Sequence, residues 1–314
     1  MPTSPSPYAL ALQAAQAAAG GQHYPTSCLY VLATPIGNLA DISLRALCVL
    51  QMVDAIACED TRHTATLLAQ YGLHRPLLAV HQHNEAEMAQ HILQRLQAGE
   101  RVAYVSDAGT PAISDPGARL VQIVQTAGVR TLPLPGASSI TTLVSVAGLD
   151  PGLQGTVAAG FVFLGFLPTK AQERERMVQH LSQEPRAIVL LEAPHRIHEL
   201  SKALAVLDER GLTVGRELTK QFEEVATLTA QTFPAWLQAT PQRSKGEFAL
   251  VLHGISPHAQ DEHAVPDSAL RALRLLLAEL PLKTAVRLAA ELTGHAKNNL
   301  YAAALRMKQD QRPA

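Results

Sequence analysis

The sequence predicts an α/β protein of two domains followed by a small helical domain. In the first half, apolar runs of strand length alternate with stretches of helical period. In the second half, strand-like runs follow one another with little helix between them, and a basic segment of helical period ends the chain. At 314 residues the chain is too long for one average domain, and its 47% hydrophobic residues are sufficient for more than one core.

Residues 28–149 are predicted to form the first α/β domain. Alternation of strands and helices is typical of a mostly parallel sheet covered by helices on both faces. Gly72, Gly99 and Gly128 each follow a helical stretch, where a glycine commonly ends a helix. The predicted strands are 29–33, 54–58, 77–81, 102–105 and 129–134, and the predicted helices are 39–50, 61–71, 85–98 and 118–126.

Residues 155–255 are predicted to form a second, α+β domain, joined to the first by the turn-rich segment 150–155. Because the last three strand-like runs are separated only by a short helix around Trp236, a mixed or antiparallel sheet is expected. The predicted strands are 161–166, 187–191, 212–218, 224–230 and 246–252, and the predicted helices are 171–181 and 195–207.

The two ends of the chain differ from these domains. Residues 1–27, rich in Pro, Ala, Gln and Ser, are predicted to be a disordered extension in which 9–19 forms at most a transient helix. The first basic residue is Arg45, so neither a secretory signal nor a transit peptide fits. A polar linker is expected at 256–267. Beyond it, helices at 269–280, 283–292 and 296–308 predict a helix-turn-helix-like domain over 268–310.

Composition restricts the partners and the compartment. A formal net charge of −1 argues against a general nucleic-acid coat, so any RNA contact must come from a local patch. From Ser268 onward, eight Lys or Arg residues stand against three Asp or Glu, which indicates such a patch; a packing appendage with solvated charges is the alternative. The three cysteines lack metal-ligand spacing, and no apolar run approaches the roughly 20 residues of a membrane helix. We therefore expect a cytoplasmic protein with neither metal nor membrane contact.

The segment 106–117 is the strongest indication of a ligand site. It joins a buried strand to a helix through two prolines, two glycines and two aspartates, which leaves backbone groups accessible. Small or polar residues also follow other strands, at 58–63, 81–85 and 135–139. Since open α/β sheets bind ligands outside the carboxyl ends of their strands, these loops predict one cleft. The loops 165–168 and 192–196 of the second domain are expected to form its facing wall. A plain chain-reversing turn is the alternative reading of 106–117.

Several common active-site signatures are missing. The sequence has neither a Gly-x-x-x-x-Gly-Lys-Ser/Thr loop nor a Gly-x-Gly-x-x-Gly turn after a strand, which disfavours phosphoryl transfer and classical dinucleotide binding. It also lacks the His-Glu-x-x-His zinc helix and the Gly-x-Ser-x-Gly nucleophile elbow.

Nine short blocks, in this order, resemble the ribosomal RNA small subunit methyltransferase I family within the tetrapyrrole methylase superfamily. The C-terminal helical segment also resembles the small appended domain of that family, whereas the N-terminal extension has no expected counterpart. The blocks are ATPIGNL (33–39), CEDTR (58–62), HNE (83–85), SDAGTPAISDPG (106–117), PGASS (135–139), GFLP (165–168), LEAPHRI (191–197), ELTK (217–220) and GEF (246–248).

The resemblance implies two α/β domains with S-adenosylmethionine bound between them, usually in a homodimer. It also implies 2′-O-methylation of a cytidine ribose in the decoding region of 16S rRNA. By motif position, the residues that it places at the cofactor are Thr34, Pro35, Ser106, Asp107, Ala108, Gly109, Ile113, Ser138, Ser139, Leu191, Glu192, Ala193, Phe248 and Ala249.

A protonated ribose hydroxyl is a poor nucleophile, so a general base would add about 10²–10⁴-fold to the rate. The predicted catalytic residues on the rim are Asp60, His83 and Glu85, with His81 beside them. The predicted RNA-binding residues are Arg62, Arg196, Lys283, Arg287 and Lys297. Two other functions remain open: a methyltransferase of the same fold acting on a corrin or sirohaem precursor, and a non-catalytic RNA-binding assembly protein.

Overall fold

Five parallel strands form the first sheet, in the order β3-β2-β4-β1-β5. The computed structural model describes residues 8–81, 84–149, 159–255 and 267–310. The central strands are buried on both faces, as the continuous apolar runs predicted. The strands are Cys28–Leu32 (β1), Ala55–Cys58 (β2), Leu77–Ala79 (β3), Arg101–Val105 (β4) and Arg130–Leu134 (β5).

Helices connect these strands and cover the sheet. The predicted helix at 39–50 is wrong in its first turn: a short 3₁₀ turn comes first, and the α-helix begins only where the Ser43 hydroxyl caps the Ala46 N–H at 3.1 Å. The last helix, α6, was not predicted, because its β-branched residues have low helix propensity. The helices are Ala9–Ala19 (α1), Leu44–Met52 (α2), Thr61–Gln70 (α3), Glu85–Gln97 (α4), Ala118–Thr126 (α5) and Ser139–Val146 (α6).

The N-terminal extension, predicted to be disordered, instead contains α1, which packs on α2. Ala15 and Ala19 are almost fully buried in the core of the first domain, and the Tyr8 ring lies 5.4 Å from the ring of Tyr71. An alanine-rich sequence favours a helix, and its small side chains allow α1 to pack closely on α2 and so to be ordered. Residues 1–7 lie outside the described part of the chain.

The second sheet has the order β6-β7-β10-β8-β9. The β6–β7 pair is parallel and the other three pairs are antiparallel, which confirms the predicted mixed sheet. Its strands are Phe161–Gly165 (β6), Ala187–Glu192 (β7), Gly211–Arg216 (β8), Glu224–Thr229 (β9) and Phe248–Leu252 (β10). Its helices are Ala171–Leu181 (α7), Ile197–Leu204 (α8) and Phe233–Gln238 (α9). The predicted link at 150–155 lies outside the described residues.

The chain divides into two units, 1–254 and 255–314, so both sheets belong to the first unit. The second unit consists of Asp267–Glu279 (α10), Leu282–Thr293 (α11) and Lys297–Asp310 (α12). Gly294, with a φ of +73°, ends α11 and makes the turn to α12. Most of the predicted linker lies outside the described residues. No helix in the described part of the chain is long and apolar enough to cross a membrane. The small core of the second unit contains Ala269, Leu273, Val286, Ala289, Leu300 and Ala304.

Candidate active site

A cleft of about 410 Å³ lies between the carboxyl ends of the first sheet and the facing ends of β7 and β10. This volume is in the range of small-molecule sites. Loops after β1, β4 and β5 line one side, and the second sheet lines the other. Ten of the fourteen residues predicted to contact a cofactor line it: Ala108, Gly109, Ile113, Ser138, Ser139, Leu191, Glu192, Ala193, Phe248 and Ala249.

The other four predicted residues, Thr34, Pro35, Ser106 and Asp107, shape the loops behind the cleft. Thr34 and Gly109 exchange two backbone hydrogen bonds of 2.9 and 3.1 Å. The Thr34 hydroxyl donates to the Ser106 carbonyl at 3.1 Å, and the Ser106 hydroxyl donates to the Gly109 carbonyl at 3.1 Å. Thr34, Pro35 and Ser106 are buried, so they hold the loop in place.

Two glycines allow this loop to pass close to its neighbours. Gly109 has a φ of +81°, and a Cβ there would lie 3.2 Å from the Ile36 side chain. Gly117 has a φ of +119°, and a Cβ there would overlap the Tyr104 ring. Both positions therefore require glycine for conformation and for space.

The segment between these glycines turns sharply at the cleft wall. Ala112 and Ser114 each have a φ of +65°, and Ile113 between them lines the cleft while 41% exposed. The segment meets the second domain directly, because a Cβ on Gly165 would lie 3.0 Å from the Ser114 hydroxyl oxygen. Left-handed backbone at non-glycine residues is strained and is concentrated at functional sites. Phe166, the next residue after Gly165, is 50% exposed and also lines the cleft.

Glu192 places a partly unsatisfied carboxylate in the wall of the cleft. It is 3% exposed, and its Oε1 accepts the Ala193 N–H at 2.9 Å. Its Oε2 has no hydrogen-bond partner among the described residues. Burial raises the pKa of Glu192, while the Ala193 N–H and the Arg196 guanidinium act in the opposite direction. Buried polar atoms are nearly always hydrogen-bonded, so the free oxygen is suited to a donor on a ligand.

Arg196, predicted to bind RNA, is mostly buried and braces the cleft wall. Its Nε lies 3.2 Å from the Glu192 carboxylate, and its Nη2 donates to the Leu167 carbonyl at 2.5 Å. Only 18% of the Arg196 side chain is exposed. This placement favours a structural role, because the guanidinium is already occupied on two sides.

Asp60, a predicted base, is paired with Arg62. Its Oδ1 caps α3 by accepting the Arg62 N–H at 2.8 Å, and its Oδ2 lies 2.8 Å from the Arg62 guanidinium. These hydrogen bonds hold the pKa of Asp60 well below its usual range, which makes it a weak base. The Arg62 side chain is 90% exposed and so remains accessible to a phosphate.

Glu85, another predicted base, caps the helix that follows the loop. Its Oε1 accepts the backbone N–H groups of Gly117, Arg119 and Leu120 at 3.0, 3.0 and 3.1 Å. Three backbone donors at the start of α5 already occupy this carboxylate oxygen, which favours a structural role. His83, the third predicted base, lies outside the described residues.

Asp115 lines the cleft but is not among the site residues predicted from the sequence. Burial, together with the neighbouring Glu59 and Asp107 carboxylates, raises the pKa of Asp115 to about 6. The available signal was its position within 106–117. The Pro and Gly residues of that segment indicate a loop that presents backbone groups, so the pattern does not single out Asp115 as a base.

The second unit carries the remaining predicted RNA-binding residues. Lys283 on α11 and Lys297 on α12 are exposed. Arg287 is also exposed, and its guanidinium lies 3.1 Å from the Glu291 carboxylate. An exposed pair of this kind is weak, so Arg287 can exchange Glu291 for a phosphate.

Comparison with known proteins assigns the class. The family model of Tetrapyrrole (Corrin/Porphyrin) Methylases matches residues 28–234, and the model of the RsmI C-terminal HTH domain matches residues 263–308. A solved cobalt precorrin-4 methyltransferase superposes with a TM-score of 0.53 at 18% identity, covering 72% of this chain and 94% of its own. At that identity the superposition shows the shared fold alone.

Curated relatives define the family more narrowly. The ribosomal RNA small subunit methyltransferase I of Escherichia coli O157:H7 is 46% identical over 88% of this chain and 94% of its own length. The protein of the same name from Pseudomonas aeruginosa is 45% identical over 88% of this chain and 96% of its own. This chain belongs to the ribosomal RNA small subunit methyltransferase I family.

Proposed function

We propose that this chain transfers the methyl group of S-adenosylmethionine to the ribose 2′-hydroxyl of a cytidine in the decoding region of 16S rRNA. The observation that carries the proposal is the cleft itself. Its walls bring together loops from both sheets, and ten of the residues that the resemblance places at the cofactor line it. The family membership supplies the class of reaction and the class of substrate.

The lining of the cleft suits a cationic ligand with an apolar body. Most lining residues are apolar or small, and the charged ones are the carboxylates Asp115, Glu192 and Glu247, with no Lys, Arg or His among the described lining residues. The unsatisfied Oε2 of Glu192 offers an acceptor for an N–H donor. When bound, S-adenosylmethionine supplies a methyl group activated by a positively charged sulfonium. A negatively charged lining attracts the positive sulfonium, whereas sites that bind phosphate present positively charged groups.

The mouth of the cleft suits a nucleotide. Phe166 exposes half of its side chain there, and aromatic faces are the usual platforms on which single-stranded bases stack. Arg62 follows the neighbouring strand β2 and exposes its guanidinium. We therefore assign Phe166 to the base and Arg62 to a phosphate of the acceptor strand. Lys283, Arg287 and Lys297 add a second positive surface for RNA.

Alignment of the two reactants accounts for much of the expected rate. Methyl transfer is an in-line displacement, and holding reactants in the reactive geometry can be worth roughly 7–11 kcal/mol. The strained Ala112–Ser114 turn shapes one wall of the cleft, and the Arg196 brace holds the other. This chain's contribution is thus to hold the hydroxyl in line and to exclude water.

Transfer of labelled methyl groups tests the substrate class. The enzyme is incubated with methyl-labelled S-adenosylmethionine and, in parallel, with 30S subunits lacking the modification, free 16S rRNA or a sirohaem precursor. We expect label on RNA only. Label on the tetrapyrrole alone would assign the chain to the small-molecule alternative, and cofactor binding without any transfer would favour the assembly-protein alternative.

We also propose a homodimer in the cytoplasm. The edge strand β6 exposes Phe161 and Leu164, and α6 exposes Val146, which leaves apolar surface available for a second copy. The three free, buried cysteines suit a reducing compartment. Light scattering on the purified protein should give twice the 33.6 kDa of one chain. A mass of one chain at micromolar concentration contradicts the dimer.

A further inference from the structure

Three carboxylates line the cleft, and two of them are already engaged. Glu192 Oε1 is held by the Ala193 N–H and by Arg196. Glu247 Oε2 lies 3.0 Å from the Lys220 ammonium. The third, Asp115, receives no hydrogen bond and forms no ion pair within the described part of the chain. Among the described lining residues, Asp115 is therefore the carboxylate with both oxygen atoms available to an incoming hydroxyl, whereas Glu192 keeps only Oε2 free.

Asp115 also sits at the junction of the two walls. It directly follows Ser114, whose hydroxyl oxygen lies 3.0 Å from where a Cβ on Gly165 would stand. Gly165 leads to Phe166, and Phe166 and Asp115 line the same cleft. An acceptor nucleotide whose base stacks on Phe166 would bring its ribose to this wall.

The charged groups that act on Asp115 are acidic. Glu59 follows β2, and Asp107 belongs to the same loop. Tyr104 on β4 donates its hydroxyl to the Pro116 carbonyl, and the Glu85 carboxylate on α4 accepts the N–H groups at the start of α5. None of these groups therefore donates to Asp115. Burial and the carboxylates Glu59 and Asp107 raise the pKa of Asp115 to about 6, close to the working pH that suits a general base.

We propose that Asp115 is the general base of the reaction and accepts the proton of the ribose 2′-hydroxyl; this inference rests on the proposed function. As the proton moves to a carboxylate oxygen of Asp115, the electron pair of the hydroxyl oxygen forms the bond to the methyl carbon. The carbon–sulfur bond breaks with its electron pair going to sulfur, which yields a neutral thioether. Asp115 then releases the proton to water, and no other reactant is needed.

The test measures single-turnover methylation of 30S subunits as a function of pH. In the wild-type enzyme the rate should rise to a plateau with a midpoint near pH 6. Asp115→Asn should lower the plateau by about 10²–10⁴-fold and remove the midpoint. Both rates are measured at saturating S-adenosylmethionine, so that a change in cofactor affinity does not enter the comparison. Thermal unfolding of the ligand-free protein is a second measurement. Asp115→Asn should raise the Tm by roughly a few degrees, because it removes a carboxylate that the Glu59 and Asp107 carboxylates repel.

Glu59→Gln is the matched second variant. Glu59 does not line the cleft, but its charge acts on Asp115. This variant should keep the plateau rate and move the midpoint to lower pH, because one negative neighbour is gone. A wild-type rate in Asp115→Asn, or an unmoved midpoint in Glu59→Gln, overturns the assignment of Asp115. Failure of the wild-type enzyme to methylate RNA at all would instead contradict the proposed function.

Discussion

The Arg196 guanidinium holds the carboxylate of Glu192 across one turn of chain, with Nε 3.2 Å from Oε1. The Glu192 side chain is 1% exposed and that of Arg196 18%, so this ion pair forms part of the second-domain wall. The same guanidinium donates to the Leu167 carbonyl and so anchors the loop that carries Phe166. One arginine thus positions both the Glu192 carboxylate in the cleft wall and the loop that carries Phe166.

Replacing Arg196 by Met should therefore destabilise the fold. Removing one partner of a buried pair leaves the other charge uncompensated, at a cost of about 3 kcal/mol in the free energy of unfolding. Urea denaturation measures it. The double variant Glu192→Gln with Arg196→Met should recover much of this stability, because the buried charge is gone. An unchanged stability, together with a weaker salt dependence of RNA binding, would show that Arg196 contacts phosphate instead.

Phe166→Ala should weaken RNA binding by about 1–3 kcal/mol, the usual contribution of a base stacked on an aromatic ring. Fluorescence anisotropy with a labelled 16S rRNA fragment measures this. Phe222→Ala is the matched control, since Phe222 is 67% exposed and is not among the residues that line the cleft. Equally weakened binding in the two variants would argue against a stacking role for Phe166.

Neutralising the second unit should reduce the salt dependence of RNA binding. Removing one interaction between a basic side chain and a phosphate lowers the slope of log K against log salt by about 1. Lys283→Gln, Arg287→Gln and Lys297→Gln together should therefore lower it by about 3, and affinity for S-adenosylmethionine should not change. The Glu291→Gln variant, which frees Arg287 from its ion pair, should strengthen binding at low salt. An unchanged slope in the triple variant would remove this surface from RNA recognition.

Deleting Tyr8 together with α1 should lower stability and leave turnover per folded molecule intact. The deletion exposes the surface that Ala15 and Ala19 cover, and it removes the packing of the Tyr8 ring on Tyr71. The milder Tyr8→Ala should cost about 0.5–1.5 kcal/mol, as expected for an aromatic pair. Thermal unfolding and single-turnover methylation measure the two effects separately. A large decrease of turnover in the folded, truncated protein would give α1 a functional role.

Acid should destabilise the second sheet through His253. Its Nε2 lies 2.8 Å from the Thr213 hydroxyl, and burial together with nearby Arg210 lowers the pKa of His253. The unfolded chain therefore binds this proton more readily, with a pKa of about 6.5. Neutral His253 therefore contributes its full share to the free energy of unfolding above the unfolded-state pKa. That contribution is lost as the pH falls toward the lower pKa of His253 in the folded protein. His253→Gln should flatten the pH dependence of the free energy of unfolding, whereas the exposed His180→Gln should not. The same pH dependence of the free energy of unfolding in His253→Gln and in the wild-type protein would contradict this role of His253.

Sequence patterns predicted most of the architecture, because buried parallel strands and their helices carry strong periodic signals. The prediction of a disordered N-terminal extension was wrong at α1. This segment is an alanine-rich helix whose buried face packs against α2. Sequence patterns also predicted loops that line the cleft, since these loops follow strand ends in a parallel sheet, whereas the ten predicted cofactor residues that line it come from the family resemblance.

The same patterns do not predict which side chains form hydrogen bonds or ion pairs with one another. Glu85 and Asp115 are both acids near the same helix start, but only the fold shows that Glu85 caps it and that Asp115 faces the cleft. Arg196 likewise follows a strand end, as a phosphate ligand would, but turns inward to Glu192. Whether a charged residue has a partner depends on tertiary contacts, which no local pattern encodes.

The position of the transferred methyl group distinguishes 2′-O-methylation of one cytidine from every other transfer to RNA. Modified 16S rRNA is digested to nucleosides after reaction with methyl-labelled S-adenosylmethionine, and the labelled nucleoside is identified by mass spectrometry. Label on the ribose of a single decoding-region cytidine is the expected result. Label on a base, or on nucleosides scattered through the RNA, would contradict a cleft that holds one ribose hydroxyl in line.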